Sequence, residues 1–221
     1  MKFILSKRWV FFGLFVLMTG LISLTVLKFA PSYKGLIWLY AYSIPSHLYI
    51  SVLPHEPVLL FVGKLHNVFL VVLAAGVGTF IAGFIDYETL TPALKHKTIK
   101  NLYHGKQFYQ KSVSLFYKAP FWVIVIAAFS PIPYYPFKLL SIASSYPEGR
   151  YLCALLVGRV PRYFLLAYAG IALNVPNWIL FALFIGMAVL ALVKRGPRII
   201  KSIKAKVEEI CESRARNGIS L

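Results

Sequence analysis

Acidic residues and cysteines are both scarce in this sequence. Its 221 residues include seven aspartates and glutamates against 24 lysines and arginines, which gives a formal net charge of +17. Only two cysteines are present, Cys153 and Cys211, and they lie far apart in segments of different character. The sequence therefore predicts neither a disulfide framework nor a cysteine metal site, since both need cysteines grouped at regular spacings.

Motifs of hydrolases and nucleotide-dependent enzymes are also missing. The chain contains no G-x-S-x-G turn, no P-loop and no H-E-x-x-H pair. These motifs supply the nucleophile, the phosphate cradle and the zinc ligands on which such proteins depend. We therefore expect no enzymatic activity, no cofactor and no metal, and find no basis for an ATP-driven pump.

Apolar residues, by contrast, make up 59% of the chain, and the mean hydropathy is +0.71. Soluble domains contain roughly 45–50% apolar residues, so this composition predicts an integral membrane protein. Four stretches are long and apolar enough to be transmembrane helices. They are residues 9–27, 65–85, 151–173 and 175–193.

The first of these stretches follows a basic start, MKFILSKR, that is also compatible with a signal peptide. The apolar run is long, however, and no A-x-A-like cleavage site lies near Ala30, so we predict a retained signal-anchor helix within residues 1–34. In the second stretch, small residues recur every fourth position, as in Ala74, Gly78 and Ala82, which predicts close approach of another helix.

The positive charge is concentrated beside apolar segments. Six lysines and no acid lie within residues 91–118, and further basic residues lie in the tail, residues 194–221. The positive-inside rule then predicts cytoplasmic N- and C-termini, and anionic head groups are the expected partners rather than nucleic acid. The tail has the pattern of an amphipathic helix that lies on a membrane surface, with a partner-binding helix as the alternative.

Two further apolar stretches, residues 35–63 and 119–149, are interrupted by prolines. All basic clusters lie on one side only if each stretch enters and leaves the membrane on the same face. Residues 119–129, for example, form about 16 Å of helix, which is too short to cross. The alternative is that the prolines mark ordinary loops. The breaks are assigned to Pro45, Pro54 and Pro57 in the first stretch and to Pro131, Pro133 and Pro136 in the second.

The predicted fold is therefore an all-α polytopic membrane protein. It has about four full transmembrane helices plus two proline-broken re-entrant hairpins in an inverted-repeat arrangement, which together form a transmembrane domain over residues 35–193. Paired helix breaks of this kind are the sequence feature that points to a transporter's binding site.

Charged residues within these segments are the candidate site. Arg159 and Arg162 lie three apart in a predicted span, where two lipid-facing arginines would cost about 5–7 kcal/mol. We expect them to bind a phosphate, since guanidinium matches phosphate oxygens, and Glu56 or Asp86 to converge with them and carry a proton or gate the site. The alternatives are a structural ion-pair lock and, for Asp86, a solvated helix end. His47, His55 and His66 are expected to be solvated or interfacial.

The order of these features resembles the VTT-domain family, also called the SNARE-associated Golgi protein or DedA family. The resemblance spans about residues 40–190 and is most specific in the G-R-x-x-R ending that leads to A-G. The matching stretches are PHEP at 54–57 with Gly63, GVGTFIAGFIDY at 76–87, and FSPIPYYPFKLLSIASSYPEGRYLCALLVGRVPRYFLLAYAG at 129–170, which ends in Gly158, Arg159, Arg162, Ala169 and Gly170.

The resemblance implies two re-entrant hairpins that face each other and a role in moving lipids between leaflets, with proton coupling in some members. We therefore predict a flippase or scramblase for an anionic phospholipid or polyprenyl phosphate in a bacterial cytoplasmic membrane. A proton-coupled transporter of a small solute or ion and a non-transporting membrane scaffold are the alternatives.

Overall fold

The computed structural model describes residues 7–49, 53–95, 116–130, 134–173, 175–190 and 193. Within these ranges the regular structure is helical, and no strand is present. We number the helices α1 (Lys7–Phe29), α2 (Lys34–His47), α3 (Glu56–Leu65), α4 (Val68–Lys95), α5 (Pro120–Phe129), α6 (Tyr135–Ala143), α7 (Glu148–Ala172) and α8 (Asn177–Leu190).

Three helices in the described part of the chain are long and apolar enough to cross a membrane. They are α1, α4 as far as Pro92, and α7, with 23 to 25 residues each. At about 1.5 Å per residue this length exceeds a hydrocarbon core of about 30 Å. They correspond to three of the predicted spans, so the protein is an all-helical integral membrane protein. The fourth predicted span, residues 175–193, corresponds to α8, which is described over 14 residues, and it stays a prediction.

Four short helices form two consecutive pairs, α2 with α3 and α5 with α6. Their lengths are 14, 10, 10 and 9 residues, which correspond to about 14–21 Å of helix. Each arm is therefore shorter than the hydrocarbon core, as expected for the arms of a hairpin.

Three of the prolines, Pro45, Pro57 and Pro136, occupy different places from those predicted. Pro45 lies inside α2 and does not end it, because the helix continues to His47. Pro57 and Pro136 lie in the first turns of α3 and α6, where a missing N–H leaves no helical bond unmade. Pro54 lies in the break between α2 and α3, as predicted. Pro131 and Pro133 fall outside the described residues.

Helices α4 and α7 pack against each other at the centre, and each binds one arm from each pair. The first arms pack within their own half of the chain, α2 against α4 and α5 against α7. The second arms cross over, α3 against α7 and α6 against α4. The chain thus repeats one packing scheme twice, and a separate apolar cluster forms around each short-helix pair.

Glycines allow these helices to approach closely. A Cβ added to Gly78 would lie 2.6 Å from the Cβ of Ser43 on α2, and one added to Gly63 would lie 2.6 Å from the carbonyl oxygen of Ala167 on α7. Both contacts are too short for any side chain larger than hydrogen. The close approach predicted for the small-residue row that contains Gly78 is confirmed.

Gly63→Ala is expected to destabilise the protein by about 1–3 kcal/mol, because the added methyl group forces α3 away from α7. The matched control is Gly76→Ala on α4, where an added Cβ meets no atom within 4 Å. That change should be neutral or stabilising, since alanine favours helix over glycine. Thermal unfolding in detergent, followed by circular dichroism, measures both, and equal melting temperatures for the two variants would contradict the close packing.

Candidate functional site

The first charged pair joins α3 to α7. Arg162 donates through Nη2 to Glu56 Oε1 at 2.6 Å and through Nη1 to the carbonyl oxygen of Ser130 at 3.1 Å. Glu56 lies in the first turn of α3, and the side chains of Glu56 and Arg162 are 34% and 26% exposed. The predicted meeting of Glu56 with the arginines is therefore confirmed for Arg162, at a place that is partly open.

The second charged pair joins α4 to α6 and is buried. Asp86 forms an ion pair with Lys138, and the two side chains are 1% and 5% exposed. Asp86 also accepts a hydrogen bond of 2.7 Å from the backbone N–H of Tyr49, whose φ of 45° is unusual for a non-glycine residue. Lys138 donates to the carbonyl oxygens of His47 and Tyr49 as well, at 3.2 and 3.0 Å.

This pair corrects two predictions for Asp86. The carboxylate does not converge with the arginines, and it does not lie at a solvated helix end, because α4 continues to Lys95. Lys138 supplies the neutralising charge that makes the buried position tolerable. Lys138 was not among the residues predicted from the sequence, although a lysine inside the apolar segment of residues 137–143 is a detectable signal.

The two pairs are built in the same way with the signs exchanged. Asp86 on α4 contacts the break in its own short-helix pair, at Tyr49, and a cation on the other pair, Lys138. Arg162 on α7 contacts the break in its own pair, at Ser130, and an anion on the other pair, Glu56. Each central helix is therefore tied through one charge to both halves of the chain.

Arg159 differs from Arg162 because it takes part in none of the salt bridges among the described residues. Its guanidinium carbon lies 5.0 Å from the centroid of the Tyr134 ring, a cation–π contact. Its Nη1 atom is buried and has no hydrogen-bond partner in the described part of the chain. Arginine remains protonated in proteins, so a buried positive charge lies here without a carboxylate.

Two histidines lie inside the protein beside these charges. His55 is 6% exposed, and its Nε2 lies 2.9 Å from Ser43 Oγ. His47 lies 2.8 Å through Nδ1 from a backbone carbonyl oxygen, so in the neutral ring Nε2 accepts the 2.9 Å hydrogen bond from Tyr163. The expectation that both are solvated or interfacial is wrong for His55 and only partly right for the half-buried His47.

Tyr163 connects this cluster to the central helices. Its hydroxyl also makes a 2.7 Å hydrogen bond with Thr79 on α4, so the chain of bonds runs from α2 through α7 to α4. This network places polar groups where the first short-helix pair meets the two central helices. Among the described residues, no three histidine, cysteine, aspartate or glutamate side chains group in a way that could hold a metal ion.

A family model for the VTT domain matches residues 53–172, which is more than half of the 221-residue chain. The chain belongs to the VTT domain family. No curated protein and no solved structure matches the chain. The VTT domain begins just before α3 and ends at the last residue of α7, so it contains all four charges of the two ion pairs together with Arg159. Helix α2, which supplies His47 and Ser43 to the site, precedes the matched region.

Proposed function

We propose that this VTT domain protein moves an anionic lipid, either a phospholipid or a polyprenyl phosphate, between the leaflets of the membrane. The observation that carries the proposal is the buried guanidinium of Arg159, which lacks a carboxylate partner among the described residues. An uncompensated buried charge costs several kcal/mol, and a phosphate group would compensate it. Guanidinium also matches phosphate in geometry, because two N–H groups face two oxygens.

The packing scheme supports a path for such a head group. In the proposed topology α2–α3 and α5–α6 are re-entrant hairpins that enter from opposite faces as inverted repeats, with both termini in the cytoplasm of a bacterial cell. Broken backbone at membrane depth is tolerated where protein buries it or water fills a cavity. A residue in each break, Tyr49 or Ser130, contacts one of the charged pairs, so the head group would meet charge where the helices are broken.

The partly open pair provides the coupling to protons. A phosphate that reaches Arg162 competes with Glu56 for the same guanidinium. A carboxylate that loses its cation also loses the charge that favours its ionised form. Glu56 thus alternates between a salt bridge and a protonated acid, and Asp86 with Lys138 gates the buried side.

The test is lipid movement in liposomes that contain the purified protein. Fluorescent phosphatidylglycerol or polyprenyl phosphate that reaches the outer leaflet is bleached by dithionite, and protein-free liposomes are the control. We expect the parent protein to accelerate bleaching and to respond to a pH gradient, and Glu56→Gln to lose that response because it cannot be deprotonated.

Two outcomes would contradict the proposal in different ways. Uptake of a solute such as radioactive inorganic phosphate along a pH gradient, with no labelled lipid moved, would show a solute transporter. Neither lipid nor solute movement, with loss of function in cells when the lysines of residues 95–118 are neutralised, would show a scaffold.

A further inference from the structure

Two buried tyrosine hydroxyls, one of them on the ring that lies beside Arg159, have no hydrogen-bond partner among the described residues apart from each other. Tyr151 on α7 is fully buried, and Tyr134 lies immediately before α6. Neither hydroxyl oxygen has a hydrogen-bond partner among the described residues other than the hydroxyl of the second tyrosine, and Arg159 Nη1 has none at all among them. Buried polar atoms are nearly always hydrogen-bonded, and two hydroxyls that bond only to each other leave one O–H donor free. This donor and Arg159 Nη1 therefore indicate a ligand that belongs there.

The orphaned groups lie in a row. The Arg159 guanidinium carbon lies 5.0 Å from the centroid of the Tyr134 ring, the two tyrosine hydroxyls pair with each other, and Asp86 is near enough for its charge to act on both. Asp86 in turn holds Lys138. The tyrosines therefore connect the arginine end of the site, which is partly open at Arg162, to the buried lysine end.

The chemistry along this row suits an oxyanion. Arginine and lysine supply charge at the two ends, and a phenol hydroxyl donates one hydrogen bond to a phosphate oxygen between them. Neutral donors allow the anion to pass, because they bind it less tightly than a cation does. At the far end the anion would replace Asp86 beside Lys138, as it replaces Glu56 beside Arg162, so that each cation keeps a counter-charge.

We propose that Lys138 is a second anion-binding site, and that the phosphate of the head group reaches it from Arg159 by way of the Tyr134 and Tyr151 hydroxyls. This inference rests on the proposed function and adds to it the residues of the inner half of the path. It makes Tyr134 and Tyr151 ligand-binding residues rather than core aromatics.

Tyr134→Phe and Tyr151→Phe, singly and together, test the path because each change removes one oxygen atom. Tyr168→Phe on α7, where the side chain is 58% exposed, is the matched control. We expect each single variant to move labelled phosphatidylglycerol about tenfold more slowly than the control, since a hydrogen bond to a charged group contributes about that factor. The double variant should also bind dihexanoyl phosphatidic acid about tenfold more weakly or worse in detergent.

Thermal stability without lipid separates this role from a structural one. Apart from each other, the two hydroxyls contact no polar group of the described fold, so the melting temperature of the double phenylalanine variant should equal or exceed that of the parent. A lower melting temperature together with slower lipid movement would overturn the inference, and so would lipid movement as fast as in Tyr168→Phe.

Lys138 is tested by Asp86→Asn combined with Lys138→Gln, which removes both charges and leaves neither unpaired. We expect this variant to move lipid at least tenfold more slowly than the Tyr168→Phe control, while Arg159 still binds dihexanoyl phosphatidic acid. An unchanged rate would show that Lys138 binds no anion. If the parent itself moves no lipid but takes up inorganic phosphate, the proposed function fails and the row of donors serves a free anion.

Discussion

Arg159→Met should abolish most lipid movement and raise the thermal stability of the protein at the same time. The parent buries a guanidinium that no described carboxylate neutralises. Removing an uncompensated charge relieves a desolvation cost of several kcal/mol, and methionine fills similar space with apolar atoms. The same change removes the charged donors for phosphate, which predicts a rate about 10- to 100-fold lower.

The control for this prediction is Arg150→Met at the exposed start of α7. It removes the same charge from the same helix and should change neither rate nor melting temperature. Fluorescent lipid assays and thermal unfolding of the same preparations measure both quantities. A stability loss in Arg159→Met would show that the arginine is a structural lock, which is the alternative recognised from the sequence.

Single substitutions in the buried pair should lower the stability of the protein, in contrast to Arg159→Met. Asp86→Asn leaves Lys138 without a counter-ion, and Lys138→Met leaves Asp86 without one, at side chains that are 1% and 5% exposed. Breaking a buried pair in this way typically costs about 3–5 kcal/mol. Each single variant should therefore unfold at a lower temperature or fail to accumulate in the membrane.

Removing both charges should recover much of the stability that the single substitutions lose. In Asp86→Leu with Lys138→Met no charge remains buried, and such apolar replacement is often neutral or stabilising. Arg8→Met is the surface control, because the Arg8–Glu148 pair is 3.4 Å long and the arginine is 72% exposed. If the double variant is as unstable as the sum of the singles, the contact between Asp86 and Lys138 does not carry the stability of this region.

The long apolar helices were predictable because their signal is local. A run of about 20 apolar residues has one stable state in lipid, a helix that satisfies its own backbone. The short arms could be predicted for the same reason, since the distance between breaks limits helix length. The places of individual prolines were less predictable, because proline is accepted at the first turn of a helix as readily as between helices.

The meeting of Glu56 with an arginine was also predictable, since few acids lie in apolar surroundings and each needs a partner. The identity of the cation that pairs with each anion was not predictable. Asp86 pairs with Lys138 because α6 crosses over to α4 in the fold, and no spacing along the chain encodes that crossing.

Arg159 and Arg162 show most clearly which features the sequence determines and which the tertiary structure determines. Residue content established that both arginines lie in an apolar span and that both need a partner or a polar cavity. Three residues on a helix correspond to a rotation of about 300°, which leaves the two side chains about 60° apart around the axis, and to a rise of about 4.5 Å along it. The two side chains therefore meet different neighbours, Glu56 for Arg162 and the Tyr134 ring for Arg159. The amino-acid composition shows that each arginine needs a counter-charge. Which arginine has one within the chain was determined by tertiary packing, because α3 and the residues before α6 pack against α7.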